Sequence, residues 1–194
     1  KYIPYQFDLM LNFNFYYLRF FLIIISILCF LNILYSYYFD LYLNVDSYYY
    51  TLLISLSPLI GFIFYKKKEA KVNIYTKIIT VIAGFFLLPI FISLPYFFSI
   101  YNISFFDAYF EAVSGFTSTG FTIFENIKHI DQGLILWRSS IQWIGGLYFL
   151  FSIIYLIDIY DENFKKTLTN YISFNSSEIL KQSIKIFLLY SGLT

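Results

Sequence analysis

The chain alternates long apolar runs with short polar breaks. The first long run is Tyr17 to Phe39, "YLRFFLIIISILCFLNILYSYYF". The second is Tyr50 to Tyr65, the third Ile78 to Phe98, and the fourth Leu134 to Ile159. A helix crossing a bilayer needs about 20 predominantly apolar residues, and the four runs predict four crossing helices. Pro58 and Gly61 fall inside the second run, where bilayer helices tolerate them if neighbours re-satisfy the backbone. A cleaved signal peptide does not fit the first run, which is too long and is followed by no Ala-x-Ala-like site. A further apolar stretch, "IFLLYSGLT", begins near the last residue of the sequence, which is expected of a piece of a longer protein.

Composition places the pattern in a membrane. Of 194 residues, 59% are hydrophobic and 25% aromatic, with only 13% charged. Soluble domains carry about 25% charged residues. The expected fold class is therefore an all-α integral membrane protein in contact with membrane lipids. A net charge of +1 gives no argument for nucleic acid. The single cysteine, Cys29, cannot form an intrachain disulfide and reads as a small hydrophobe.

Charge orients the runs. The "KKKEAK" cluster, Lys66 to Lys71, is the densest positive stretch, and Lys165 and Lys166 follow the fourth run. Cytoplasmic loops carry an excess of Lys and Arg, so both loops are expected inside, with the N-terminus also cytoplasmic and the Tyr38–Tyr50 loop outside.

Ser99 to Gly133 breaks the pattern. "ISFFDAYFEAVSGF" predicts a helix over about 104–115. Ser104 is its cap, Asp107 sits in the capping-box position, and Phe106, Phe110, Ala112 and Val113 supply an apolar face. Asp107 and Glu111 lie near its N-terminal end, where the macrodipole favours acids. About a dozen residues cannot span a bilayer. After Ser114-Gly115 comes "FTSTGFT", residues 116–122.

Helix, short helix, irregular polar loop, helix is the order of a re-entrant pore loop. Irregular backbone at membrane depth is tolerated only where protein buries it or it lines a watery cavity. A partly dehydrated alkali cation needs several oxygens in place of water, and backbone carbonyls supply them. Gly120 allows the angles that aim carbonyls inward, and Gly115 a sharp exit from the helix. An ordinary extracellular helix and turn remains the alternative from spacing alone.

The stretch "SFFDAYFEAVSGFTSTGFTIF" followed by "GLILWRSSIQWIGGL" resembles the TrkH/TrkG family of bacterial potassium uptake proteins, within the wider Trk, Ktr and HKT superfamily. The family pattern reads roughly F-x-D-A-x-F-E-x-V-S-G-F-T-T-T-G-A-T, then L-W-R-S-x-x-Q-W-x-G-G. The resemblance is dense over Ile78 to Leu147. It implies four helix–pore loop–helix units around one pore, each giving one filter segment. In this chain it implies a filter at 117–122: Gly120 as the key glycine, and carbonyls from Thr117, Ser118, Thr119 and Phe121. Ser118 and Phe121 stand where Thr and Ala are common in the family.

The expected organisation is a transmembrane helix pair with a Lys-rich loop over 1–70, the first pore unit over 71–166, and a linker opening a second unit over 167–194. The resemblance further implies K⁺ uptake through the bacterial inner membrane, a homodimer, and a cytoplasmic nucleotide-binding regulatory subunit of the TrkA type. It leaves K⁺ against Na⁺ preference, and coupling to Na⁺ or H⁺, open. The expected metal is K⁺ itself, as transported ion, on the carbonyls of Thr117, Ser118, Thr119 and Gly120, with no cofactor.

Supporting roles are expected of four residues: Asp107, Glu111, Gly115 and Arg138. Arg138 reads either as a snorkelling interfacial arginine or as the partner of Glu111 or Asp107. Gln142 and Trp143 read as packing and interface anchors, and Gly145-Gly146 as a close helix contact. His129 has no cysteine or second histidine nearby, which argues against a metal site. Asp107 and Glu111 have no nucleophile beside them, and no phosphate-binding glycine loop appears, so an enzyme is not expected. A non-transporting membrane scaffold, or an inactive truncated fragment, is the competing expectation.

Overall fold

The computed structural model describes residues 15–63, 74–125, 130–157, 185 and 188–192. The Lys-rich 66–71 cluster, His129, Lys165, Lys166 and Lys181 lie outside the described residues. The chain forms two compact units, Lys1–Gly146 and Leu147–Thr194.

In the first unit, helices form where the apolar runs predict them. They are α1 (Phe15–Tyr38), α2 (Val45–Ile63), α3 (Ile74–Phe97), the short α4 (Phe105–Phe116) and the start of α5 (Gln132–Ile157). No strand occurs among the described residues. The protein is an all-α, multi-pass membrane protein.

Three of these helices contain stretches long and apolar enough to cross a membrane: Tyr17–Tyr38, Tyr75–Phe97 and Gln132–Leu156. α2, expected as a fourth crossing, falls outside that set. It starts five residues before its apolar run, and its first two turns carry Asp46, Ser47, Thr51 and three tyrosines. Its uninterrupted greasy part is correspondingly short. At 12 residues, α4 rises about 18 Å against a hydrocarbon core of about 30 Å.

α1 packs on α2 and α3, and α3 on α4. The core holds Phe21, Ile25, Tyr48, Leu88, Ile92, Tyr96, Trp137 and Ile141. Polar groups within the apolar helices are mostly satisfied locally, as bilayer burial demands. Ser26 donates to the Leu22 carbonyl and meets Ser55 across the α1–α2 contact at 2.8 Å. Thr51 and Thr80 bond back to Ser47 and Thr76. Cys29 is free and buried in α1. The indole of Trp137 donates to the Ile92 carbonyl at 3.1 Å, joining α5 to α3.

The second unit contains the end of α5 and helical residues 188–192. Ser152 donates to the Tyr148 carbonyl within α5.

Candidate functional site

The short helix begins as its sequence predicts. Ser104 is the N-cap, with its backbone in the extended region. Its hydroxyl accepts from the Asp107 amide at 3.2 Å and donates to the Asp107 carboxylate at 2.7 Å. Asp107 is thereby occupied at the cap.

α4 buries mainly its small residues, including Ala112 of the predicted apolar face. Ala108, Glu111, Ala112, Ser114, Gly115 and Phe116 are buried, whereas Phe106 is 82% exposed and Phe110 is also exposed. Small side chains let the helix approach α5 closely. A Cβ on Gly115 would come within 2.9 Å of the Ile141 side chain, and one on Gly145 would run into the Phe116 carbonyl. Of the large rings of α4, Phe116 is buried, whereas Phe105, Phe106 and Phe110 are exposed.

The exit from α4 also differs. Gly115, expected to make the turn, stays inside the helix. The left-handed residue is Ser118, with φ of 56°. Ser118 N–H bonds the Gly115 carbonyl and Thr119 N–H bonds the Ser114 carbonyl, both at 3.0 Å. This is the paired closure of a Schellman cap, usually completed by glycine. Here serine occupies the strained position. Gly120, with φ of +80°, makes the second left-handed step, and nothing lies within 4 Å of a Cβ placed on it. Only glycine adopts that angle without cost.

Thr117 to Thr122 is exposed. Among the described residues, no donor reaches the carbonyls of Thr117, Ser118, Thr119 or Gly120. The next carbonyl is different: Phe121 accepts from the Ser114 hydroxyl at 2.6 Å. Phe121 was grouped with the filter carbonyls by resemblance, but its oxygen is turned back onto α4. Its ring is 67% exposed.

Glu111 and Arg138 fix the returning strand. Arg138 Nη1 lies 2.6 Å from Glu111 Oε1, with side-chain exposures of 14% and 1%. Of the two carboxylates expected as candidates, the structure pairs Arg138 with Glu111. The other carboxylate oxygen of Glu111 accepts from the Ile123 amide at 3.0 Å. Arg138 also donates to the Thr122 hydroxyl at 3.0 Å, and that hydroxyl accepts from the Phe124 amide. One buried ion pair thus holds the chain on the far side of Gly120. Because the pair is internally neutral, it places no net charge beside the loop.

The geometry suits a cation stripped of part of its water. Four consecutive carbonyls lack internal donors. They sit at the C-terminal end of a helix, where the macrodipole is partly negative. Among the described residues, no group of three or more His, Cys, Asp or Glu side chains could hold a metal ion.

Comparison with known proteins gives short, repeated matches. The chain is 44% identical over 57 residues to the Trk system potassium uptake protein TrkI of Halomonas elongata, covering 29% of this chain and 12% of that protein. It is 41% identical over 46 residues to TrkG of Escherichia coli, covering 24% and 10%. It is 37% identical over 60 residues to a protein named as an uncharacterized cation transporter of Methanocaldococcus jannaschii, covering 31% and 11%. The matched segments thus span about a tenth of these relatives' own length. No family model and no solved structure matches the chain. The similarity is local and repeated: several TrkH/TrkG-type potassium uptake proteins match a short part of this chain.

Proposed function

We propose that the protein carries K⁺ across a membrane, and that Thr117, Ser118, Thr119 and Gly120 form one wall of its selectivity filter. The observation that carries this reading is the run of four donor-free carbonyls, exposed at the end of a buried short helix and clamped from behind by Glu111, Arg138 and Ser114. Carbonyl dipoles replace the ion's hydration without a fixed countercharge that would hold it too tightly. The neutral Glu111–Arg138 pair keeps that balance. The names of the relatives, all cation or potassium carriers, point the same way.

One wall cannot enclose an ion. The complete filter in this reading takes four such segments around a common axis, the first pore unit lying within 71–166. Residues 1–70 then form a preceding helix pair, and 167–194 lead toward the second unit. Exposed apolar residues such as Phe106 and Phe110 would face lipid or the remaining units. The protein sits in the bacterial inner membrane with its N-terminus cytoplasmic. It works as a homodimer with a TrkA-type regulatory subunit, and as a carrier rather than an enzyme.

The test is K⁺ uptake in a potassium-uptake-deficient bacterium expressing the gene in full, with and without Gly120→Arg. The expected result is rescue by the native protein and none by Gly120→Arg at equal membrane abundance. The space around Gly120 admits the new side chain, but its charge and bulk block the ion path and its φ is strained. Equal rescue by both removes this loop from the filter.

A further inference from the structure

We propose that Ser114, on the last turn of α4, ends the carbonyl ladder: its hydroxyl holds the Phe121 carbonyl against the helix, leaving four carbonyls toward the ion. The inference rests on the reading of Thr117 to Gly120 as a filter wall.

Ser114 is buried, and its single hydroxyl proton goes to the Phe121 carbonyl at 2.6 Å. The Thr119 hydroxyl lies 3.2 Å from both the Ser114 hydroxyl and the Ser114 carbonyl. The Thr117 hydroxyl donates to the Val113 carbonyl at 2.8 Å and sits 3.3 Å from that of Thr119. Each hydroxyl carries one proton. With Thr119 donating to Ser114 and Thr117 to Val113, both threonine protons point back to the helix end, and the Ser114 proton is taken by the Phe121 carbonyl. None is then directed into the space in front of the loop, where a cation would meet it unfavourably.

Ser114 is the hub of this arrangement. It joins the strand before Gly120, through Thr119, to the strand after it, through Phe121. Arg138 and Glu111 hold the chain one and two residues farther on, at Thr122 and Ile123. Ser114 is therefore a positioning residue. It touches no ion, and acts by fixing where the row of oxygens stops and how far its two ends can separate. A row that can widen loses discrimination between K⁺ and the smaller Na⁺, because loosened carbonyls close in on the smaller ion.

The experiment compares uptake of K⁺ and Na⁺ in the full protein carrying Ser114→Ala, which removes one oxygen atom. Membrane abundance is measured in parallel. The K⁺ over Na⁺ ratio is expected to fall roughly two- to twelvefold, the span that one hydrogen bond's net contribution converts to. Thr119→Val is expected to have a smaller effect, and less than an additive one when combined with Ser114→Ala. An unchanged ratio in Ser114→Ala, while Gly120→Arg still abolishes uptake, overturns the role of Ser114 and leaves the filter reading standing. Loss of Ser114→Ala from the membrane makes Ser114 a folding residue and also overturns it. If Gly120→Arg transports normally, the filter reading itself fails.

Discussion

Two helices in this protein end in the same way and lead to opposite outcomes. At the end of α1, Asp40 adopts φ of 55°, and the Leu41 amide bonds the Ser36 carbonyl five residues back at 2.8 Å. At the end of α4, Ser118 adopts φ of 56°, and the Thr119 amide bonds the Ser114 carbonyl at 3.0 Å. Beyond Asp40 the chain closes on itself at once. Tyr42 bonds Asp40, Val45 N–H bonds the Tyr42 carbonyl, and Asn44 accepts from the Ile100 amide as α2 begins. Beyond Ser118 the chain runs through Thr119 and Gly120 before the Ser114 hydroxyl takes the Phe121 carbonyl. The left-handed residue marks only where a helix stops. What sets the α4 end apart is a pair of buried polar side chains, Ser114 and Glu111, bonded to the chain that follows it.

The largest expected effect tests the support behind the loop. Arg138→Ala strands the Glu111 carboxylate in a buried site. Breaking a buried pair from one side typically costs about 3–5 kcal/mol. Thermal unfolding of the purified protein should fall accordingly, and K⁺ uptake should be lost. A change no greater than that of a surface ion pair would mean the loop does not depend on this clamp.

Next comes the contact beneath the cap. Gly145→Ala drives a methyl group into the Phe116 carbonyl, so α4 or α5 must shift. Overpacking of this kind costs about 1–3 kcal/mol. Because the displaced carbonyl lies one residue before Thr117, uptake should drop beyond the loss in membrane abundance. Measuring both separates displacement of the loop from simple instability.

The smallest effect compares the two caps directly. Ser118→Gly and Asp40→Gly each place at a left-handed position the residue that suits it. Serine has less local compensation there than aspartate, which tolerates such turns. Ser118→Gly should stabilise by about 0.5–1 kcal/mol and Asp40→Gly by less. Only Ser118→Gly should alter ion selectivity. Matched shifts in both properties would remove the distinction drawn between the two ends.

Much of this arrangement was legible in the residues. Apolar run length located the helices to within a few positions, because bilayer thickness imposes it. Ser104 with Asp107 announced the start of α4, since capping is a local interaction. Arg138 could be matched to a carboxylate of α4, although choosing Glu111 over Asp107 needed the fold. Phe106 and Phe110 belong to the apolar face that the sequence predicts, but which face is buried depends on the fold: the close approach at Gly115 and Gly145 selects small residues for burial. The exit at Ser118 in place of Gly115 was hidden for a similar reason. Propensity favours glycine for a left-handed angle, but the tight contact with Ile141 already claims Gly115. Ser114 gave no signal, because its partner lies seven residues away across an irregular loop. The start of α2 at Val45 was obscured by tyrosines that a hydropathy pattern reads as loop.

The glycine seat under α4 also limits how this region can move. Turning α5 by one residue rotates its surface by about 100°, carrying Gly145 away from the Phe116 carbonyl and bringing Cβ-bearing neighbours toward it. The two helices can therefore shift together far more readily than against each other. In mechanical terms the contact is an interlock: sliding one helix past the other has to displace the Phe116 carbonyl first.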